Sequence, residues 1–231
     1  MIRFVLALAV LLTACNQRDL AGEMHTDTKS VPLDKSELTR VELNMHAGEL
    51  RISGGATELM QAEFNYNVDS WKPQVEYRST GTRSDLQIIQ PPGVHIASPN
   101  GKNRWEVRLN EGAPMDVIAK LGAGEANLEL GSLNLRTLEI EIGVGEVRVD
   151  LRGMPKRSYD VRISGGVGQA TVYLPASVGI NATAAGGLGE INVSGLEQRN
   201  GRWINPRAEG SPITIRLDAK GGIGEIQLIA E

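Results

Sequence analysis

Cysteine is all but missing from this chain: Cys15 is the only one in 231 residues. Histidine is nearly as rare, with three residues in all and none from residue 113 onward. A catalytic nucleophile needs a neighbouring base, so the second half of the chain lacks the parts of the common hydrolytic pairs. Aromatic residues make up 4%, too few for a long groove of stacking rings. Lys and Arg number 24 against 28 Asp and Glu, which leaves a net charge of −4 and a pI near 5.5. Without a clustered basic footprint, nucleic acid is not an expected partner. The apolar run Phe4 to Leu12 falls well short of the ~20 residues a membrane-spanning helix requires.

Glycine, by contrast, is abundant at 27 residues, and it recurs in a pattern. Gly122-Ala-Gly-Glu125, Gly143-Val-Gly-Glu146, Gly166-Val-Gly-Gln169, Gly187-Leu-Gly-Glu190 and Gly222-Ile-Gly-Glu225 are copies of one motif. A strand-like alternation leads into each copy and another leads out. Val117, Ala119 and Leu121 alternate before the first, and Ala126, Leu128 and Leu130 after it. The inward parity therefore switches across each Gly-x-Gly. A corner that keeps both strands on one core needs that switch.

Two topologies fit. One is a right-handed β-solenoid whose coils stack in parallel, and the other a meander of hairpins folded at each Gly-x-Gly. The near-constant spacing from Gly122 to Gly143, Gly166 and Gly187 favours the solenoid. A single coil cannot stand alone, because ~1–2 kcal/mol of backbone entropy per residue outweighs five or six buried aliphatic side chains at ~1.5–3 kcal/mol each. Stacking supplies the remainder. The expected fold class is all-β, a solenoid of short stacked coils over 113–231 with a more irregular β segment, 31–112, capping it.

That irregular segment alternates over Leu38 to Met45, Met60 to Val68, Gln74 to Ser79, Leu86 to Gln90 and Trp105 to Leu109. His46-Ala47-Gly48-Glu49 resembles a degenerate sixth copy of the motif, with His46 as a turn residue of left-handed conformation. Residues 94–103 form a polar loop. Trp71 and Trp105 plug the open end of the core. Between Gly195 and Pro212 the array is interrupted by a polar excursion carrying Arg202, Trp203, Asn205 and Arg207.

At the start of the chain, Arg3, the apolar run and Leu12-Thr13-Ala14-Cys15 resemble the signal and lipobox of bacterial lipoproteins. The resemblance implies removal of residues 1–14, acylation of Cys15 and anchoring to a membrane surface. Residues 15–30 then form a flexible tether. Asn16, where an Asp favours inner-membrane retention, points to the outer membrane in a double-membraned cell.

Two ligand readings of the glycine motif fail on their offsets. A dinucleotide loop needs a third glycine and a following helix, and here Asn127, Arg148, Thr171, Asn192 and Gln227 stand in its place, leading into strands. Calcium-binding nonapeptide repeats need an Asp where Ile191 and Ile226 sit. No cofactor and no metal are expected. Glu125, Glu146, Glu190 and Glu225 form an outward row at the ~4.8 Å strand spacing, neutralised by Arg148, Arg162, Arg216 and Lys220.

The stretch Gly48 to Gly55, the strand Trp105 to Leu109 and the five glycine copies resemble the toast-rack family of bacterial envelope proteins, over Leu38 to Glu231. That family includes candidate adhesins and proteins of the cell-wall-antibiotic stress response. The resemblance implies a right-handed, β-helix-like stack and, for some members, sensing or relaying of envelope stress. The expected function is a non-enzymatic, lipid-anchored envelope protein that presents a β-solenoid surface to an unknown envelope protein or glycan. The alternative is a protein that binds or modifies cell-wall or surface polysaccharide. Arg202, Trp203, Asn205 and Arg207 are the first candidate contact surface, and the outward glutamates the second. The last strand, Glu225 to Ala230, is expected to leave a free edge and to self-associate weakly.

Overall fold

A computed structural model describes residues 21–92 and 100–231. The signal segment, Cys15 and residues 94–99 of the polar loop lie outside the described residues. The described chain is all-β. It runs β1 (His25–Val31), β2 (Leu38–Ser53), β3 (Met60–Tyr66), β4 (Gln74–Ser79), β5 (Arg83–Ile89), β6 (Asn103–Leu109), β7 (Met115–Glu129), β8 (Leu135–Asp150), β9 (Tyr159–Leu174), β10 (Gly179–Ser194), β11 (Glu197–Arg199), β12 (Arg202–Ile204) and β13 (Thr214–Ala230).

The glycine motifs do not separate strands; each lies inside one long bent strand. β2, β7, β8, β9, β13 and β10 stack in that order, every neighbouring pair parallel and in register with motif against motif. The hairpin meander is thereby excluded, and the chain forms a β-solenoid-like stack. The parity switch is present as read. Along β7, Val117, Ala119 and Leu121 are buried before the corner and Ala126 and Leu128 after it, as is Leu130 just beyond the strand's end. The arriving and departing halves thus close on a single apolar core.

Gly145 shows why the corner demands glycine. Its φ is +140°, a region L side chains rarely adopt, and a Cβ there would lie 1.9 Å from the carbonyl oxygen of Gly124 in the coil beside it. The first glycine of each motif is needed for contact alone: a Cβ on Gly143 would lie 2.4 Å from the oxygen of Gly122, with no positive φ.

β2 belongs to the same parallel ladder, pairing Gly48 with Gly124 and Glu49 with Glu125. The stack therefore reaches back to Leu38, into the irregular segment. His46 takes the place of a first glycine because no coil precedes it. Its neighbour there is a side chain, with Gln90 Oε1 accepting from the His46 amide at 2.9 Å. His46 does not have positive φ, which corrects the left-handed turn expected for it. The outer edge of β2 is closed in two pieces, by β5 over Leu38 to Asn44 and by β6 over Glu49 to Ser53. At the corner between them, Asn103 Nδ2 donates to the carbonyl of Ala47 at 2.9 Å and to Gln90 Oε1 at 3.2 Å. Two buried amide side chains thus stand in for the missing ladder. Trp105, fully buried, meets Phe64 edge-on with ring centroids 5.6 Å apart in the layer beyond β2.

Two expectations are corrected. The tether does not extend to residue 30, because β1 pairs antiparallel with β3 from His25 to Val31. β1 is an edge strand, and of its residues only Val31 is buried, so no alternation marks it in the sequence. The second correction concerns the end of the chain. β13 does not close the stack; it lies between β9 and β10 and pairs with both. An inserted coil gains two interfaces instead of one, and the long excursion after β10 is the detour that brings the chain back to that slot. The expected free edge at Glu225 to Ala230 does not exist.

Candidate binding face

The outward side chains of the departing halves form columns across the stack. The first runs Glu49, Glu125, Glu146, Gln169, Glu225, Glu190. Insertion of β13 puts Glu225 beside Gln169, an order that differs from the sequence. Glu49 opens the row and was not singled out in the sequence, although the degenerate motif copy contains it.

Three of the four cations expected to neutralise the row, Arg216, Lys220 and Arg148, have other partners. Arg216 is held by Asp160, with Nη2 to Oδ2 at 3.1 Å, and Lys220 by Asp218 at 2.9 Å. Both stand on arriving halves, across the corner from the glutamates. Arg148 lies 4.4 Å from the centroid of the Tyr173 ring. Arg152 shares that ring at 4.7 Å, so Tyr173 is not a free stacking platform.

Relief comes from other partners. Glu49 accepts from Arg104 Nε at 2.7 Å, which holds its carboxyl below the usual range. Glu225 accepts from Gln227 Nε2 at 2.6 Å, Asn192 Nδ2 at 2.8 Å and Gln169 Nε2 at 3.2 Å. The amides of Gln227 and Asn192 lower its pKa. The glutamine that interrupts the row is therefore a donor to its neighbour. Among the described residues, Glu125, Glu146 and Glu190 have no hydrogen-bonding or ionic partner, and no cluster of His, Cys, Asp and Glu forms a metal site.

Two adjoining depressions share Arg51 and Asn127. One, of about 850 Å³, also carries Lys29, Gln61, Glu106 and Arg108. The other, of about 460 Å³, carries Glu146, Arg148, Gln169 and Gln227. Together they make a continuous polar trough across the departing face. Guanidinium, carboxylate and amide groups alternate in it, which suits hydrogen bonding to a polar partner.

The excursion after β10 is placed elsewhere. β12 pairs with β11 and with Asn181 and Ala182 on the arriving half of β10, away from the trough. Trp203 is half-buried and packs on the core. Asn205, only 3% exposed, donates through Nδ2 to the carbonyls of Ala176 at 2.9 Å and Val178 at 2.8 Å, and its Oδ1 accepts from the Arg207 amide at 3.0 Å. It is a structural pin, which corrects its assignment to a contact surface. Arg202 is exposed and donates to Asn181 Oδ1 at 2.8 Å; Arg207 is exposed as well. The four residues do not form one surface.

Residues 20–173 match the family described as the N-terminal domain of toast_rack, DUF2154. Among solved structures, a candidate cell adhesion protein from Clostridium sporogenes is 33% identical. The alignment covers 90% of this chain and 100% of that one, with a TM-score of 0.87. A candidate adhesin from Bacteroides fragilis aligns over 89% of this chain and 97% of its own, at 10% identity and a TM-score of 0.32. No curated protein matches the chain.

Proposed function

Since the chain belongs to the toast-rack family, we propose that it is an adhesin-like binding protein of the bacterial cell envelope, held at a membrane through acylated Cys15. The binding face is the polar trough of the departing halves, and its continuity across five neighbouring coils, β2, β7, β8, β9 and β13, is the observation that carries this reading. A stack of in-register strands makes a stiff platform, and stiffness lowers the ordering cost of binding. Among the described residues no helix is long and apolar enough to cross a membrane.

Purified protein tested against whole cells and envelope fractions checks the face. Arg51→Ala with Arg148→Ala should weaken binding about tenfold or more, since charge-assisted contacts carry ~1.5–3 kcal/mol. Unchanged binding would place the contact elsewhere. Cys15→Ser should release the protein from the membrane fraction.

A second reading rests on the amides Gln61, Asn127, Gln169 and Gln227 in the trough, groups suited to sugar hydroxyls. It makes the partner a surface polysaccharide. Incubation with envelope polysaccharides separates the two: binding competed by soluble glycan supports it, and absence of both binding and cleavage removes it.

A further inference from the structure

The two ends of the stack are finished differently. At β2 the outer edge is closed by β5 and β6, with Gln90 and Asn103 filling the corner. At the other end, β12 covers the outer edge of β10 only at Asn181 and Ala182. Among the described residues, nothing pairs with that edge from Thr183 to Ser194. Residues 185–192 are exposed without a break. Ile191 is 39% exposed, whereas Ile226, which holds its position one coil inward, is 4% exposed; Leu188, at the outward corner position, is 70% exposed against 45%, 54% and 53% for Val167, Val144 and Ile223 in interior coils. The core is left uncovered here.

We infer that this edge is the seat of a second copy of the chain, β10 against β10, antiparallel about a two-fold axis at Leu188. The two parallel arrangements of two copies are obstructed. Head-to-tail stacking would bring β10 against β2, whose edge is taken. A full coil added in parallel would meet β12 at Asn181 and Ala182. An antiparallel copy centred on Leu188 avoids both, because Thr183 and Val193 lie at equal distances from the centre and β12 stays outside the paired segment. The bends also coincide: the arriving half of each strand runs along the departing half of the other, and the Gly-x-Gly corners meet at the axis.

The edge is chemically self-compatible. From Thr183 to Val193 it contains no Lys, Arg or Pro, the residues that commonly blunt an edge strand, and its sole charge is Glu190. In this register Glu190 faces Gly186 of the second copy, so the two acids do not oppose each other, and Ile191 faces Ala185. Leu188 meets its own symmetry mate. Such an interface is isologous and closes on itself, which gives a dimer and no fibre.

Sedimentation velocity on the full chain should show a concentration-dependent dimer and nothing larger. Leu188→Lys places two ammonium groups face to face across the axis and should raise the dimer Kd by about tenfold or more. The position is exposed, so circular dichroism should report an unchanged fold. In chain carrying Cys15→Ser, Leu188→Cys should form an interchain disulfide under mild oxidation. Directly opposed Cβ atoms lie ~4.5–5.5 Å apart, close to what a disulfide spans. Val144→Cys, at the same place in an interior coil, should remain unlinked. A monomer at every concentration, a dimer indifferent to Leu188→Lys, or crosslinking through Val144→Cys as fast as through Leu188→Cys would each overturn the inference.

Discussion

Replacing Gly145 by Ala tests the corner directly, because two separable costs fall on one methyl group. The backbone cost comes from φ of +140°, where a side chain is strained by ~1–3 kcal/mol. The packing cost comes from a Cβ 1.9 Å from the Gly124 oxygen. Relief requires moving β8 away from β7 by more than an ångström, which weakens two or three ladder hydrogen bonds of ~0.5–1.5 kcal/mol each. Together these come to about 4 kcal/mol. For a chain of this size, ~2–4 °C is lost per kcal/mol, so the melting temperature should fall by ~8–16 °C by far-UV circular dichroism.

Other glycines isolate each cost. Gly81 has φ of +84° and no atom within 4 Å of a Cβ, so Gly81→Ala carries only the backbone cost, ~1–2 kcal/mol. Gly143→Ala carries only the contact, its Cβ 2.4 Å from the Gly122 oxygen. His46 already bears a side chain at the equivalent place in the first coil, and His46→Gly should change stability by no more than ~1 kcal/mol. If Gly145→Ala melts within about 2 °C of Gly81→Ala, close coil contact is not what selects glycine, and the account of the corner is wrong.

Other substitutions probe the ends of the molecule. Asn205→Ala removes both bonds to Ala176 and Val178 and leaves buried carbonyls unpaired. It should cost ~2–3 kcal/mol in chemical denaturation, whereas Arg202→Ala on the same loop should lie within ~0.5 kcal/mol of the parent. Asp34 accepts from Ser79 Oγ at 2.6 Å, Tyr77 Oη at 2.5 Å and the Ser36 amide at 2.9 Å. These bonds, led by Ser79, hold its carboxyl far below the ordinary 3.8. The folded pKa lies under the unfolded one, so the stabilising form is the ionised one. Its contribution is complete at neutral pH, declines as the pH drops past the unfolded value, and is gone below the folded one. Asp34→Asn should flatten the loss of stability between about pH 5 and pH 2; an acid limb as steep as that of the parent would show that other carboxylates govern it.

Much of this architecture can be read from local pattern. The alternation of Val117, Ala119 and Leu121 with its parity switch at Gly122 to Gly124 reports a bent strand with both halves on one core, and that is what β7 is. The alternation is local, because successive side chains of one strand face core and solvent in turn, so it leaves a trace in the sequence. β1 left none, because an edge strand with one buried side chain needs no apolar alternation. Asn205 looked like a surface residue because polar composition does not reveal that an amide has turned inward to hold two carbonyls.

The sequence by itself marked five equivalent glycine corners and a degenerate sixth, each with an outward polar residue beside it and, for the five, alternating apolar residues on both sides. Only the tertiary structure decided the order in which those coils stack. Each presents the same glycine corner and the same inward aliphatic pattern, so any one fits against any other, and the pattern is silent on which partner it takes. The connections decide. The short link after β9 and the long excursion after β10 leave a slot that β13 fills. The Glu row is thereby reordered, and β10 becomes the strand with the open edge.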